Sequence, residues 1–184
     1  MAPFQLRWIV QKNEAGQLLR EFLFSKRISR RSLTVIKFEG GKIQVNEKEE
    51  NVRYIVKEGD RVCVEFPAEI PSESLTREPI PLDIVYEDET VLVINKPAGI
   101  LTIPSRDEPA HAVANGLLYY YQEKQIESAV HIVTRLDRDT SGLLLVAKHR
   151  YIHYLLTLQQ QEKSVKRKYE ALAEGILKQP CQTI

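Results

Sequence analysis

The sequence predicts an α+β chain of two modules, and three observations carry that prediction. Residues 18–23 and 29–36 repeat apolar side chains at helical spacing, and short alternating runs follow at 43–45 and 62–66. The later half repeats the mixture: hairpin-like runs at 82–86 and 91–95, an apolar run at 143–147, and two more helical stretches. Between the halves lies a segment with Pro67, Pro71, Pro79 and Pro81 and little to bury. Short strands mixed with separate helices suit an α+β architecture with antiparallel or mixed sheets. The expected boundaries are a first module at 13–66, a linker at 67–81 and a second module at 82–184.

Composition narrows the class. Of 184 residues, 43% are hydrophobic and 28% charged, so a buried core is feasible and wholesale disorder is not expected. The net charge is +1, so affinity for a polyanion has to come from a local patch. Cys63 and Cys181 lie far apart and match no metal-ligand spacing; Cys63 reads as a small core residue. No metal and no cofactor is expected. No signal-peptide pattern and no apolar stretch of membrane-spanning length is present, which predicts a cytoplasmic, soluble monomer without membrane contact.

In the first module, residues 4–11 alternate as a strand, and Leu18, Leu19, Phe22 and Leu23 mark a helix. Ser29 is a suitable N-cap for a second helix, with Leu33 and Ile36 on its buried side and Gly40-Gly41 as its stop. Ile43 and Val45 form a strand, Asn46-Glu47 a turn, Lys57 to Asp60 another turn, and Val62, Val64 and Phe66 a further strand. Seven basic residues fall between Arg20 and Lys42, opposed only by Glu21 and Glu39. Arg27, Arg30, Arg31 and Lys37 are the candidates for phosphate contact. A solvated helical face explains the same charges equally simply.

In the second module, Leu82 to Tyr86 and Val91 to Asn95 read as a hairpin, Lys96 to Gly99 as a turn, and Ile100 to Ile103 as a short strand. Residues 109–122 and 151–161 read as helices, the latter anchored by Leu155, Leu156 and Leu158, and Val165 to Glu174 as a closing strand. Between them, Arg135, Asp137, Arg138 and Asp139 crowd into five positions ahead of Gly142 and the apolar run Leu143 to Ala147. Charges at the mouth of a buried strand must pair or stay wet, and they shift one another's pKa. A solvated loop of surface ion pairs is the competing reading. The histidines at 111, 131, 149 and 153 form no ligand set and read as surface residues.

Arg135 to Gly142 matches R-L-D-x-x-T-S-G, and here the chain resembles the RluA-type pseudouridine synthases. Val93 to Gly99 is similar to that family's v-v-N-K-P-a-G segment, and Arg167 to Leu172 to its K-x-Y-x-A-l segment with arginine in the lysine's place. Residues 41–46 and 56–62 resemble the G-x-V-x-V-N and GD-x-V segments of the S4 RNA-binding domain. The resemblance implies an S4-like RNA-binding module joined to a pseudouridine synthase domain, acting without cofactor on structured ribosomal or transfer RNA. It implies Asp137 as the catalytic aspartate, Arg135 as a residue that holds the target nucleotide out of its helix, and Tyr169 as a ring stacked on the flipped uracil. Arg138, Asp139, Thr140 and Ser141 are left to structure the loop.

Two departures stand out. Thr134 replaces a histidine that often precedes R-L-D, and the family's later G-R-T-H-Q-I-R segment has no counterpart. The chain therefore reads as the N-terminal half of such a catalytic domain, and residues 1–184 alone are expected to bind RNA weakly and make no pseudouridine. The alternative function is an RNA-binding protein with an incomplete, inactive synthase domain. A glycosidase built on Asp137 and Asp139 lacks a second acid placed by any motif.

Overall fold

The computed structural model describes residues 3–175. The first sheet contains β1 (Gln5–Ile9), β2 (Lys42–Val45), β3 (Lys48–Glu49) and β4 (Arg61–Glu65) in the order β1-β4-β2-β3, all antiparallel. Because β1 pairs with β4 along its whole length, this sheet begins ahead of residue 13. Two helices cover it, α1 (Leu19–Ser25) and α2 (Arg30–Phe38). Their buried residues, among them Leu19, Phe22, Leu23, Leu33 and Ile36, meet Ile43, Val45, Val62 and Val64 from the strands in one core.

Local chemistry explains the boundaries. Ser29 caps α2, its Oγ accepting the Ser32 N–H at 3.1 Å. Gly40 takes φ +97°, as a helix-ending residue commonly does. Gly41 serves closeness instead: a Cβ there would lie 2.6 Å from the Glu65 carbonyl oxygen and 2.8 Å from that of Ile36. Asn46 and Glu47, both at positive φ, turn β2 into β3. Buried Asp60 accepts from Lys57 N–H (2.8 Å), Asn46 Nδ2 (2.8 Å) and Tyr54 hydroxyl (3.0 Å). Burial pushes this carboxyl up, but the donors outweigh it and hold it below the ordinary aspartate range. Cys63 is half-buried, its thiol turned toward Gln5 rather than into the core, because odd positions of β4 face away from it. Cys181 lies outside the described residues.

The second sheet contains β5 (Ile84–Glu87), β6 (Val91–Lys96), β7 (His131–Ile132) and β8 (Gly142–Ala147) in the order β5-β6-β8-β7, again antiparallel. Helix α3 (Val113–Glu123) lays Val113, Leu117 and Tyr121 over Leu92, Ile94, Leu144 and Val146. Two expected strands do not form. Residues 100–103 contribute a single bridge, Leu101 to Ala112, because Thr102 turns its hydroxyl to the neighbouring loop. Residues 165–174 form no strand with any described residue and are almost wholly exposed.

The two halves are packed together. Segment 67–81 has no helix or strand, yet it is pinned. Buried Asn115 donates to the Thr76 carbonyl (2.9 Å) and hydroxyl (3.0 Å), and Gly116 leaves room for Ile80, whose Cβ lies 3.0 Å from where a glycine Cβ would be. Helix α4 (Arg150–Gln161) then crosses from the second sheet to the first core. Its buried anchor is Tyr151, with half-buried Ile152 and Leu155 packed on the same core; Leu156 and Leu158 are half-buried as well but are not among the residues that pack on it. The Tyr151 hydroxyl donates to the Lys26 carbonyl at 2.8 Å, and the ring tilts against Phe66. No helix among the described residues is long and apolar enough to cross a membrane.

Candidate active site and nucleic-acid interface

β6 and β8 pair from Val91–Ala147 to Lys96–Gly142, so the loop ahead of Gly142 emerges where both strands end. Residues alternate there as in an extended chain. Leu136 is buried, while Arg135 and Asp137 on either side point to solvent. Thr102 clamps Leu136 from below, donating to its carbonyl at 2.5 Å and accepting its N–H at 3.2 Å. Thr134 is buried and accepts the Leu145 N–H at 3.0 Å, tying the loop's entry to β8. At the far end the Thr140 N–H donates to the Asp137 carbonyl at 3.1 Å. This backbone bond, rather than the Thr140 and Ser141 side chains, closes the turn, and Gly142 supplies its φ of +125°.

Arg138 turns outward to structure the loop, meeting Glu108 at 2.6 Å and the Gly99 carbonyl at 3.3 Å. Its own carbonyl faces inward and accepts from Lys96 Nζ at 3.0 Å. Lys96 is fully buried and also donates to the carbonyls of Pro97 (2.9 Å) and Ile100 (2.8 Å). Burial pushes its ammonium below the ordinary lysine value, and the Asp139 and Asp137 carboxylates oppose that shift. A cation thus sits beneath a loop that presents Asp137 upward. Such a carboxylate can attack an electrophilic carbon or stabilise positive charge developing above it. Residue types and spacing gave no role to Lys96 or Thr102. The only sign of Lys96 was its place in the N-K-P-A-G segment, and Thr102 left none.

The remaining proposed site residues fall in two other places. Arg30, Arg31 and Lys37 are exposed on α2, and Arg27 stands on the left-handed turn before it at φ 65°. Of the seven clustered basic residues, Arg20, Lys26 and Lys42 pair with Glu21, Glu14 and Glu65. Arg27, Arg30, Arg31 and Lys37 pair with no carboxylate among the described residues, which leaves them free for an outside anion. Tyr169 is 58% exposed on the segment after α4. Among the described residues, no hydrogen bond or ring contact joins it to the Asp137 loop.

Three histidines read as surface residues are instead drawn into the junction between the halves, His131 from β7 and His149 and His153 from the start of α4. His131 pairs with Glu69, whose other oxygen accepts the Arg150 N–H at 2.7 Å at the start of α4. Burial pushes the Glu69 carboxyl up, and these donors more than reverse it, so it lies below the ordinary range. His149 stacks on Phe4 at 3.8 Å between ring centroids. Burial lowers its pKa to about 4 and also depresses that of His153. Among the described residues no group of three or more His, Cys, Asp or Glu side chains is arranged to hold a metal.

A family profile described as RNA pseudouridylate synthase matches residues 90–183, a span that begins at β6 and takes in Lys96, the Asp137 loop and Tyr169. The chain is 50% identical over 166 residues to the uncharacterized RNA pseudouridine synthase YjbO of Bacillus subtilis, covering 90% of this chain and 59% of that one. It is 40% identical over 137 residues to the ribosomal large subunit pseudouridine synthase D of Neisseria meningitidis serogroup B, covering 74% and 37%. The corresponding protein of Haemophilus influenzae is 36% identical over 173 residues, covering 91% and 52%. The chain thus spans about half the length of the curated relatives it matches. The loop that the strands hold up at Gly142 therefore lies in the part of the sequence that places this chain in the RNA pseudouridylate synthase family.

Proposed function

We propose that the protein carrying this chain isomerises uridine to pseudouridine in structured ribosomal RNA, with Asp137 as the catalytic carboxylate and residues 13–66 within an S4-like RNA-binding module. The observation that carries this reading is the rigid presentation of Asp137 within the family-matched span: Leu136 anchored below it, Lys96 buried beneath, and the carboxylate open to an incoming nucleotide. Ribosomal RNA is favoured as substrate because several relatives carry that target in their names.

In the reaction the N1–C1′ bond of uridine breaks, the uracil turns, and C5 bonds to C1′. The C5 hydrogen leaves to solvent and N1 gains a proton, so substrate and product are isomers and no electron is exchanged. Positive charge developing on the sugar needs a facing anion, which Asp137 supplies either as a counter-charge or by covalent attack. The target base has to leave its stack, at a cost of a few kcal/mol. Arg135, beside Asp137 on the same exposed edge, occupies the vacated space, and Tyr169 stacks on the extruded uracil.

Tritium release from ribosomal RNA labelled at uridine C5 tests the reading, since each turnover frees one label. A second reading, an RNA-binding protein without synthase activity, is favoured by one observation: Tyr169 stands exposed, and among the described residues no hydrogen bond or ring contact joins it to the Asp137 loop. RNA binding with no tritium release would support that second reading over the first.

A further inference from the structure

The exposed face of α2 carries an aromatic ring that the fold does not use. Phe38 is 75% exposed in the last turn of the helix. One exposed apolar side chain is ordinary by itself; the setting of this one is informative. At 3.6 residues per turn, Arg30, Thr34 and Phe38 follow one another along a single line, flanked by Lys37 on one side and Arg31 on the other. No acidic residue occurs from Arg30 to Phe38. Lys37 Nζ lies 5.2 Å from the centroid of the Phe38 ring, a cation drawn to the ring's face. Arg30, Arg31 and Lys37 are without carboxylate partners among the described residues.

We propose that Phe38 is a base-stacking platform, on which the N-terminal module takes an unpaired nucleobase of RNA while Arg30, Arg31 and Lys37 hold the adjoining phosphates. The proposal deepens the RNA reading above and rests on it. In a continuous A-form helix the faces of each base are hidden in the stack, so a single ring on a convex helix face reaches only a base in a loop, bulge or end. Stacking of that kind tolerates any base, while the neighbouring cations supply the backbone contacts. A cavity of about 390 Å³ beside the end of α2 is lined by Lys37 and Lys42 but also by Glu49 and Glu50, which repel phosphate. The phosphates are therefore held on the exposed helix face by Arg30, Arg31 and Lys37 rather than in that cavity. A protein partner would need further apolar surface around the ring, whereas its neighbours on this face are Thr34, Lys37 and Arg31.

The test uses the 184-residue chain and two RNA hairpins of identical stem, each closed by a non-nucleotide linker that offers no loop base, one fully paired and one with a single unpaired 2-aminopurine bulged from the stem. Titrations compare wild type, Phe38→Ala and Phe38→Trp. Phe38→Ala is expected to weaken binding of the bulged hairpin about 5- to 100-fold, the loss of one base–ring stack, and that of the paired hairpin less than about twofold. The salt slope should be unchanged, since no phosphate contact is removed. Wild type and Phe38→Trp should quench 2-aminopurine on binding, and Phe38→Ala should not. The ring lies outside the core, so circular dichroism of the three proteins should coincide. Equal affinity of wild type and Phe38→Ala for the bulged hairpin, or an equal loss on both hairpins, overturns this inference alone. Failure of the wild-type chain to bind either hairpin overturns the RNA reading and this inference with it. Loss of self-association in Phe38→Ala with RNA binding intact would make the ring a protein contact and overturn the inference as well.

Discussion

At the scale of single residues, the account turns on Lys96. A lysine with no exposed surface persists because three carbonyls, those of Pro97, Ile100 and Arg138, surround its nitrogen. Two belong to the turn after β6 and one to the Asp137 loop, so this side chain ties two segments 42 positions apart. Lys96→Met keeps much of the volume but cannot donate; it strips the part-buried Pro97 and Ile100 carbonyls of this donor, while the Arg138 carbonyl keeps the Gly99 N–H. The expected loss is about 3 kcal/mol or more, seen as a lower urea midpoint. An unchanged midpoint would mean that Lys96 does not hold the loop. Asp137 and Arg135 were legible in the sequence because a motif of eight positions carries them. Lys96 was visible only as part of a turn, since nothing in a lysine's identity says that it will be buried. Leu136 reads as an ordinary apolar residue, yet its burial is what turns its two neighbours outward.

At the scale of elements, the helices and most strands follow from periodicity. Ser29 at the start of α2, Gly40 at its end and the alternation of β4 all act locally, so local sequence is enough to place them. Residues 165–174 show the limit of that logic. Arg167 to Leu172 has an alternating strand pattern, but a strand exists only when a neighbour takes its hydrogen bonds, and no described residue does so. The junction histidines show the same limit from the other side. His149 is followed at once by α4, and it is buried as that helix packs its Tyr151 into the first core and the His149 ring stacks on Phe4.

That burial has a measurable consequence. The pKa of His149 falls from 6.5 to about 4, so between these values the unfolded chain binds a proton that the folded chain refuses. Stability should therefore fall as pH drops from about 6.5 to 4, by about 2–3 kcal/mol from this residue. His153, also depressed, acts in the same direction. Glu69 acts in the same direction at lower pH: its contribution is full above the ordinary carboxylate value and is lost as pH falls from there through its depressed folded value. Lys148 and Glu89 also face His149, the first disfavouring its charge and the second accepting from it through the backbone. His149→Phe keeps the ring stack on Phe4 and removes the proton site. Thermal melts across this pH range should show a shallower slope for the variant, and parallel slopes would refute the assignment.

At the scale of the whole molecule, two small sheets are joined by one helix and one pinned connection. Proline-rich composition with little to bury suggested an extended linker at 67–81. In the structure Asn115, Gly116 and Glu69 fasten it to the second half, because bonds from distant residues decide what a proline-rich chain does. The basic face of α2 and the Asp137 loop are thus parts of one packed body, and in the proposed function that body holds one RNA at two places. Arg30 and Arg31 provide the check on the first place. Changing both to Glu should weaken RNA binding irrespective of sequence and flatten the dependence on salt, by a log–log slope of about one per lost phosphate contact. Unchanged affinity and slope would return them to a solvated helix face.

The second place is tested by Asp137→Asn in the protein that carries this chain, which keeps the side chain's shape and removes its charge. Pseudouridine formation in ribosomal RNA is followed under single-turnover conditions, beside RNA binding by titration. The account predicts binding within about twofold of wild type and isomerisation slowed by at least about a thousandfold, as for loss of a nucleophile or essential counter-charge. Retention of a tenth or more of the wild-type rate would contradict the assignment of Asp137 as the catalytic carboxylate.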